Sequence, residues 1–90
     1  MVRKKVVINN PLGIHARPAA LVVQAASRFT ADIFLSKGDI EQVNGKSIMS
    51  VMMLAAEQGA EVTVAAVGED AEEAVQTVAD LLQSNFEGKF

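Results

Sequence analysis

His15 is the only histidine in the 90 residues, and it stands directly ahead of Ala16-Arg17-Pro18. From Ala16 onward a helix is expected: Ala19, Val22, Val23 and Ala26 recur at i, i+3, i+4 and i+7, continued by Phe29. Pro18 falls in its first turn, where no amide donor is lost. The first amides of a helix are unpaired and carry about half a positive charge. An anion formed on a side chain just ahead of them is stabilised, commonly by about 0.3–1 kcal/mol. Arg17 adds a permanent guanidinium, the best geometric match for a phosphate or carboxylate. An imidazole with an unperturbed pKa of about 6.5 is largely neutral at pH 7 and is a competent nucleophile towards phosphorus. The chemistry this pattern favours is a transient phosphohistidine at His15. A lone loop histidine is otherwise an exposed or capping residue, and the pairing with Arg17 at a helix start is what separates the two.

Ser47 is the second residue with chemistry in reach. Gly45-Lys46-Ser47 imitates the end of a P-loop, but that motif needs a glycine five places before Gly45, where Ile40 stands. Ser47 reads instead as the N-cap of a helix, a position worth about 1 kcal/mol. A phosphoryl group there would bring about −1.5 to −2 charges beside Ile48 and Met49 without unfolding the chain. The helix itself, expected over Ser47 to Gln58 with Gly59 as its C′ residue, is apolar nearly all round. Val51, Leu54 and Ala55 are assigned to the core. Ile48, Met49 and Met52 are left as a docking patch that joins Ala20 and the neighbourhood of Arg17, and methionine suits surfaces that must fit several partners.

Other chemistries are excluded or weakened. One His and no Cys build no thiolate zinc site, so no metal and no cofactor is expected. No G-x-S-x-G nucleophile elbow occurs. A net charge of −3, with four Phe and neither Trp nor Tyr, leaves no basic, aromatic-studded face for nucleic acid. Met1-Val2-Arg3-Lys4-Lys5 resembles a signal-peptide start, but Val6-Val7-Ile8 meets Asn9-Asn10-Pro11 at once, and no run reaches membrane-spanning length. A soluble, cytoplasmic, monomeric chain of one domain over residues 1–90 is the expectation.

The elements that must position these residues follow from periodicity. Val6 and Ile8 share one face of a first strand, which Pro11 and Gly13 break into a loop ahead of His15. Ile33 and Leu35 alternate with Asp32, Phe34 and Ser36, and Ile40 to Val43 alternate again after Lys37-Gly38-Asp39, as a hairpin should. Val62, Val64 and Ala66 alternate with Thr63, Ala65 and Val67, so the fourth strand is apolar on both faces and is expected to be central. Asp70 with Glu73 reads as a capping box ahead of a stripe of Ala71, Ala74, Val75, Val78, Leu81 and Leu82. The tail from Asn85 to Phe90 is expected to fray. Strand, helix, strand, strand, helix, strand, helix make an α+β chain, most economically an antiparallel sheet with its helices on one face.

The run Leu12-Gly13-Ile14-His15-Ala16-Arg17-Pro18-Ala19-Ala20 resembles the active-site signature of the HPr family, phosphocarriers of the bacterial phosphoenolpyruvate-dependent phosphotransferase system. Val43-Asn44-Gly45-Lys46-Ser47-Ile48-Met49-Ser50-Val51-Met52 resembles the family's regulatory-serine segment, and the element order is similar along essentially the whole chain. The resemblance implies an open-faced β-sandwich whose four-stranded antiparallel sheet runs in the order 1-4-2-3 under three helices. It implies that His15 takes a phosphoryl group on Nδ1 from phosphorylated enzyme I and passes it to sugar-specific enzyme IIA domains. Arg17 and the backbone amides of Ala16 and Arg17 would hold the phosphate. It further implies an HPr kinase/phosphorylase that modifies Ser47 with ATP, and a catabolite-control regulator that recognises the product. The chain would be a carrier and not an enzyme in the strict sense. Leu12 departs from the small polar residue that several members have there. The family also holds a nitrogen-branch carrier with the same histidine and a regulatory variant without it; the presence of His15 separates the chain from the latter.

Overall fold

The computed structural model describes residues 1–11, 13–14, 16–54 and 56–84. Along them run β1 (Val2–Val7), α1 (Ala16–Ala26), β2 (Asp32–Lys37), β3 (Ile40–Asn44), α2 (Ile48–Met53), β4 (Glu61–Val67) and α3 (Ala71–Gln83). The strands form one sheet in the order β1-β4-β2-β3, every neighbouring pair antiparallel. Register explains the core. Val6 stands opposite Val62, and a second row runs Lys4, Val64, Leu35 across three strands. Side chains opposite one another share a face, so Val6, Val62, Val64, Leu35, Ile33 and Ala66 all turn to the same side and are buried there. The alternate positions, among them Arg3, Lys5, Thr63 and Ser36, form the open face. β4 is interior as expected; on its second face Ala65 is buried, Thr63 half-buried, and Glu61 and Val67 at the strand ends exposed.

The helices close the other side. α1 buries Pro18, Ala19, Val22, Ala25 and Ala26, while α3 buries Ala71, Ala74, Val75, Val78, Ala79 and Leu82. Ala19, Val22 and Ala26 of α1, the buried α3 residues, and Val51 and Leu54 of the α2 segment join the sheet residues in one hydrophobic cluster. Each fully buried Val, Leu or Ile there contributes roughly 1.5–3 kcal/mol of transfer free energy. Phe29 lies past the end of α1, where Arg28 N donates to Ala25 O at 3.3 Å and Phe29 N to Ala26 O at 3.2 Å, a tightened exit. Lys46 Nζ donates to Phe29 O at 2.7 Å, bringing a cation to the carbonyl end of α1.

Two expectations about helix ends are corrected. α2 stops at Met53 instead of running to Gln58. The residues beyond it are engaged elsewhere: Ala56 O accepts from Ile14 N at 2.8 Å, Ala60 N donates to Glu57 O at 3.0 Å, and Gly59 N donates to Ile8 O at 2.8 Å. Gly59, at φ +88, therefore turns the chain into β4 and is not the helix C′ residue. Asp70 is the N-cap of α3 by position, yet its side chain makes no capping bond. Its carboxylate is used by Thr30 and Ala31 across the fold. Ala55 and the tail Asn85 to Phe90, assigned above to core and fraying end, lie outside the described residues.

Candidate functional site

The loop between β1 and α1 is built by hydrogen bonds from four segments. Ile8 is fully buried, with its amide on Ala60 O at 2.9 Å and its carbonyl accepting from Gly59 N. Asn9 Nδ2 donates to Gln83 O at 2.6 Å, at the last turn of α3. Asn10 opens a turn that Gly13 N closes on Asn10 O at 2.8 Å, and Asn10 Nδ2 donates in turn to Gly13 O, also at 2.8 Å. Pro11 sits where a β-turn favours proline. Gly13 has φ +68, and a Cβ added there would stand 2.5 Å from Ala56 O and 2.9 Å from Glu57 Cα, so only glycine fits. Ile14, buried, then binds Ala56 O through its amide.

His15 and Leu12 lie outside the described residues. The chain to either side of His15 is anchored, by Ile14 on one side and by the start of α1 on the other. Ala16 and Arg17 are exposed in the first turn of α1, while Pro18 and Ala19 bury the same turn into the core. The leading helical amides belong to Ala16 and Arg17, since Pro18 has none. This puts the leading helical amides and a guanidinium on an exposed turn whose inner side is immobilised by packing. Such an arrangement stabilises an anion at the helix start.

Ser47 is half-buried, with φ −120 and ψ 120, and its hydroxyl oxygen accepts from Ser50 N at 3.3 Å, the N-cap bond expected of it. The turn ahead of it is held by Gly45 N on Ile33 O at 2.8 Å, Lys46 N on Asn44 Oδ1 at 2.9 Å and Ser47 N on Asn44 O at 3.2 Å. α2 packs against α1 and β3 with Val51 inward. Ile48, Met49 and Met52 are exposed at 44%, 77% and 43%, and Ala20 on α1 is half-buried. Met53, exposed at 64%, was not among the expected patch residues. Its signal was its position four residues after Met49, on the same side of a helix. Asn10 was also missed; an Asn-Pro-x-Gly run is a turn signature that would have marked it. Among the described residues no group of three or more His, Cys, Asp or Glu could hold a metal ion. No described helix is long and apolar enough to cross a membrane.

Residues 2–84 match the family model described as the phosphorylation site of the phosphotransferase-system HPr component. The chain belongs to the HPr family. The HPr-like protein Crh of Bacillus subtilis is 52% identical over 83 residues, covering 92% of this chain and 96% of that one. Its crystal structure, a domain-swapped dimer, matches with a TM-score of 0.74 at 49% identity, over 94% and 97% of the two chains. The phosphocarrier protein HPr of Treponema pallidum is 48% identical over 87 residues, 97% of this chain and 98% of that one. HPr-C-His from Thermoanaerobacter tengcongensis matches over the whole of both chains with a TM-score of 0.88 at 43% identity. The sheet order β1-β4-β2-β3 under three helices is the HPr fold that the resemblance implied.

Proposed function

We propose that this HPr-family phosphocarrier accepts a phosphoryl group on Nδ1 of His15 from phosphorylated enzyme I and donates it to sugar-specific enzyme IIA domains. In each step the bond from phosphorus to the donor breaks as the bond to the acceptor forms, so His15 is modified and must be discharged by the next protein. The observation that carries this reading is the exposed first turn of α1, where Ala16 and Arg17 stand on a base anchored by buried Pro18 and Ala19. Arg17 neutralises the phosphate and the amides of Ala16 and Arg17 complete its cradle. Ala20, Ile48, Met49 and Met52 dock the partners. No cofactor takes part, and the unit of function is a single domain over residues 1–90, monomeric in the cytoplasm.

Ser47 is the regulatory site in this reading, modified by an HPr kinase/phosphorylase and then read by a catabolite-control regulator. A dianionic group at the cap would sit beside the exposed Ile48 and Met49 and discourage apolar docking. A second reading, a regulatory adaptor working through phosphorylated Ser47, is favoured by the 52% identity to Crh. The swapped dimer of that relative makes self-association the matching alternative to a monomer. A nitrogen-branch role would use the same histidine. Reconstitution with phosphoenolpyruvate, enzyme I and a sugar-specific IIA domain separates these readings. His15→Ala is expected to abolish transfer with the fold intact, and Ser47→Ala to keep transfer while losing regulator binding. Full transfer through His15→Ala would overturn the carrier reading.

A further inference from the structure

We propose that Asn10 is a positioning residue for phosphoryl transfer, a role that rests on the reading of His15 as the acceptor. Asn10 is the one buried polar side chain among the described residues, 6% exposed. Its side chain is not needed to close the turn, because Gly13 N already bonds Asn10 O. What Nδ2 adds is a bond to Gly13 O at 2.8 Å. That carbonyl and the amide of Ile14 belong to one planar peptide unit. The amide end is held by Ala56 O at 2.8 Å, so the plane between Gly13 and Ile14 is pinned at both ends, by the Asn10 side chain on one and the segment after α2 on the other. Gly13 is itself wedged against Ala56 and Glu57. The Gly13–Ile14 peptide plane, one residue ahead of His15, therefore has one orientation, and among the described residues Asn10 is the only side chain that holds it. Group transfer depends steeply on such orientation, since a misplacement of about 1 Å costs on the order of 100-fold in rate.

The test treats the chain as the substrate of a bacterial enzyme I charged with phosphoenolpyruvate, and compares wild type with Asn10→Ala, Asn10→Asp and Asn10→Ser, each first shown to be folded by circular dichroism. Asn10→Ala and Asn10→Asp, which offer no donor to Gly13 O, are expected to lower kcat about 10- to 100-fold. KM should stay within about twofold, because the docking patch on α2 is untouched. Asn10→Ser, whose hydroxyl makes the same kind of turn bond more weakly, should recover part of the loss. Amide exchange at Ile14 should quicken in the order Ser, then Ala. Wild-type kcat in either folded donor-less variant, or a loss confined to KM, overturns the proposal and leaves the acceptor reading standing. A wild-type chain that takes up no phosphoryl group overturns both.

Discussion

Asp70 ties the connection between α1 and β2 to the start of α3: its carboxylate accepts from Thr30 N at 2.9 Å, Thr30 Oγ1 at 3.2 Å and Ala31 N at 2.8 Å. Gly68, at φ +144, lets the two segments come this close, because a Cβ there would meet Ala31 Cα at 2.8 Å. The Thr30 amide is the largest influence and holds the carboxyl below its ordinary value of 3.8; burial opposes it, and the Ala31 amide and the Thr30 hydroxyl add to the lowering. A carboxylate with a depressed folded-state pKa contributes stability that is present above the unfolded value and lost as pH falls through the folded one. Asp70→Asn is therefore expected to lower the urea midpoint at about pH 7, with the gap to wild type closing below about pH 4. A gap that stays constant down to about pH 3 would contradict the assignment. Residue roles of this kind were unevenly legible. The Ser47 cap could be read because its partner Ser50 is three residues away, whereas Asp70 looked like a capping box because its true partners lie about forty positions back in the sequence.

Among the elements, α2 carries the proposed docking surface. It is only six residues long, with Val51 in the core and Ile48, Met49, Met52 and Met53 outward. So short a helix has little intrinsic stability and is held by its cap and its packing on α1 and β3. Periodicity could not reveal its end, because Leu54 to Ala56 continue the apolar run. The carbonyl of Ala56 serves the loop ahead of His15 instead. That same link joins the segment after α2 to the loop ahead of His15 through Ile14. Met49, exposed at 77%, contributes little to stability, so Met49→Glu is expected to leave Tm within a few degrees. It should raise KM for enzyme I at least tenfold, about 1.4 kcal/mol of docking free energy. An unchanged KM would remove α2 from the interface.

In the whole molecule, a one-sided sheet carries all three helices on the same face; α1 packs against α2, and the start of α1 and the outer face of α2 are both exposed. The element order was legible from alternation and helical stripes alone. The strand order 1-4-2-3 was not, since pairing between β1 and β4 joins residues nearly sixty apart and local pattern carries no record of it; it came from the family resemblance. His15 and Arg17 can be proposed as a site from sequence because the chemistry there is local, a histidine, a guanidinium and a helix start within three residues. The central claim is that His15 carries a phosphoryl group. Intact-mass spectrometry after incubation with phosphoenolpyruvate and enzyme I, run beside His15→Ala and followed by brief acid treatment, tests it most directly. The account predicts a single added phosphoryl group that is acid-labile and absent from His15→Ala; no mass gain, with the same enzyme I active on another carrier, would contradict it.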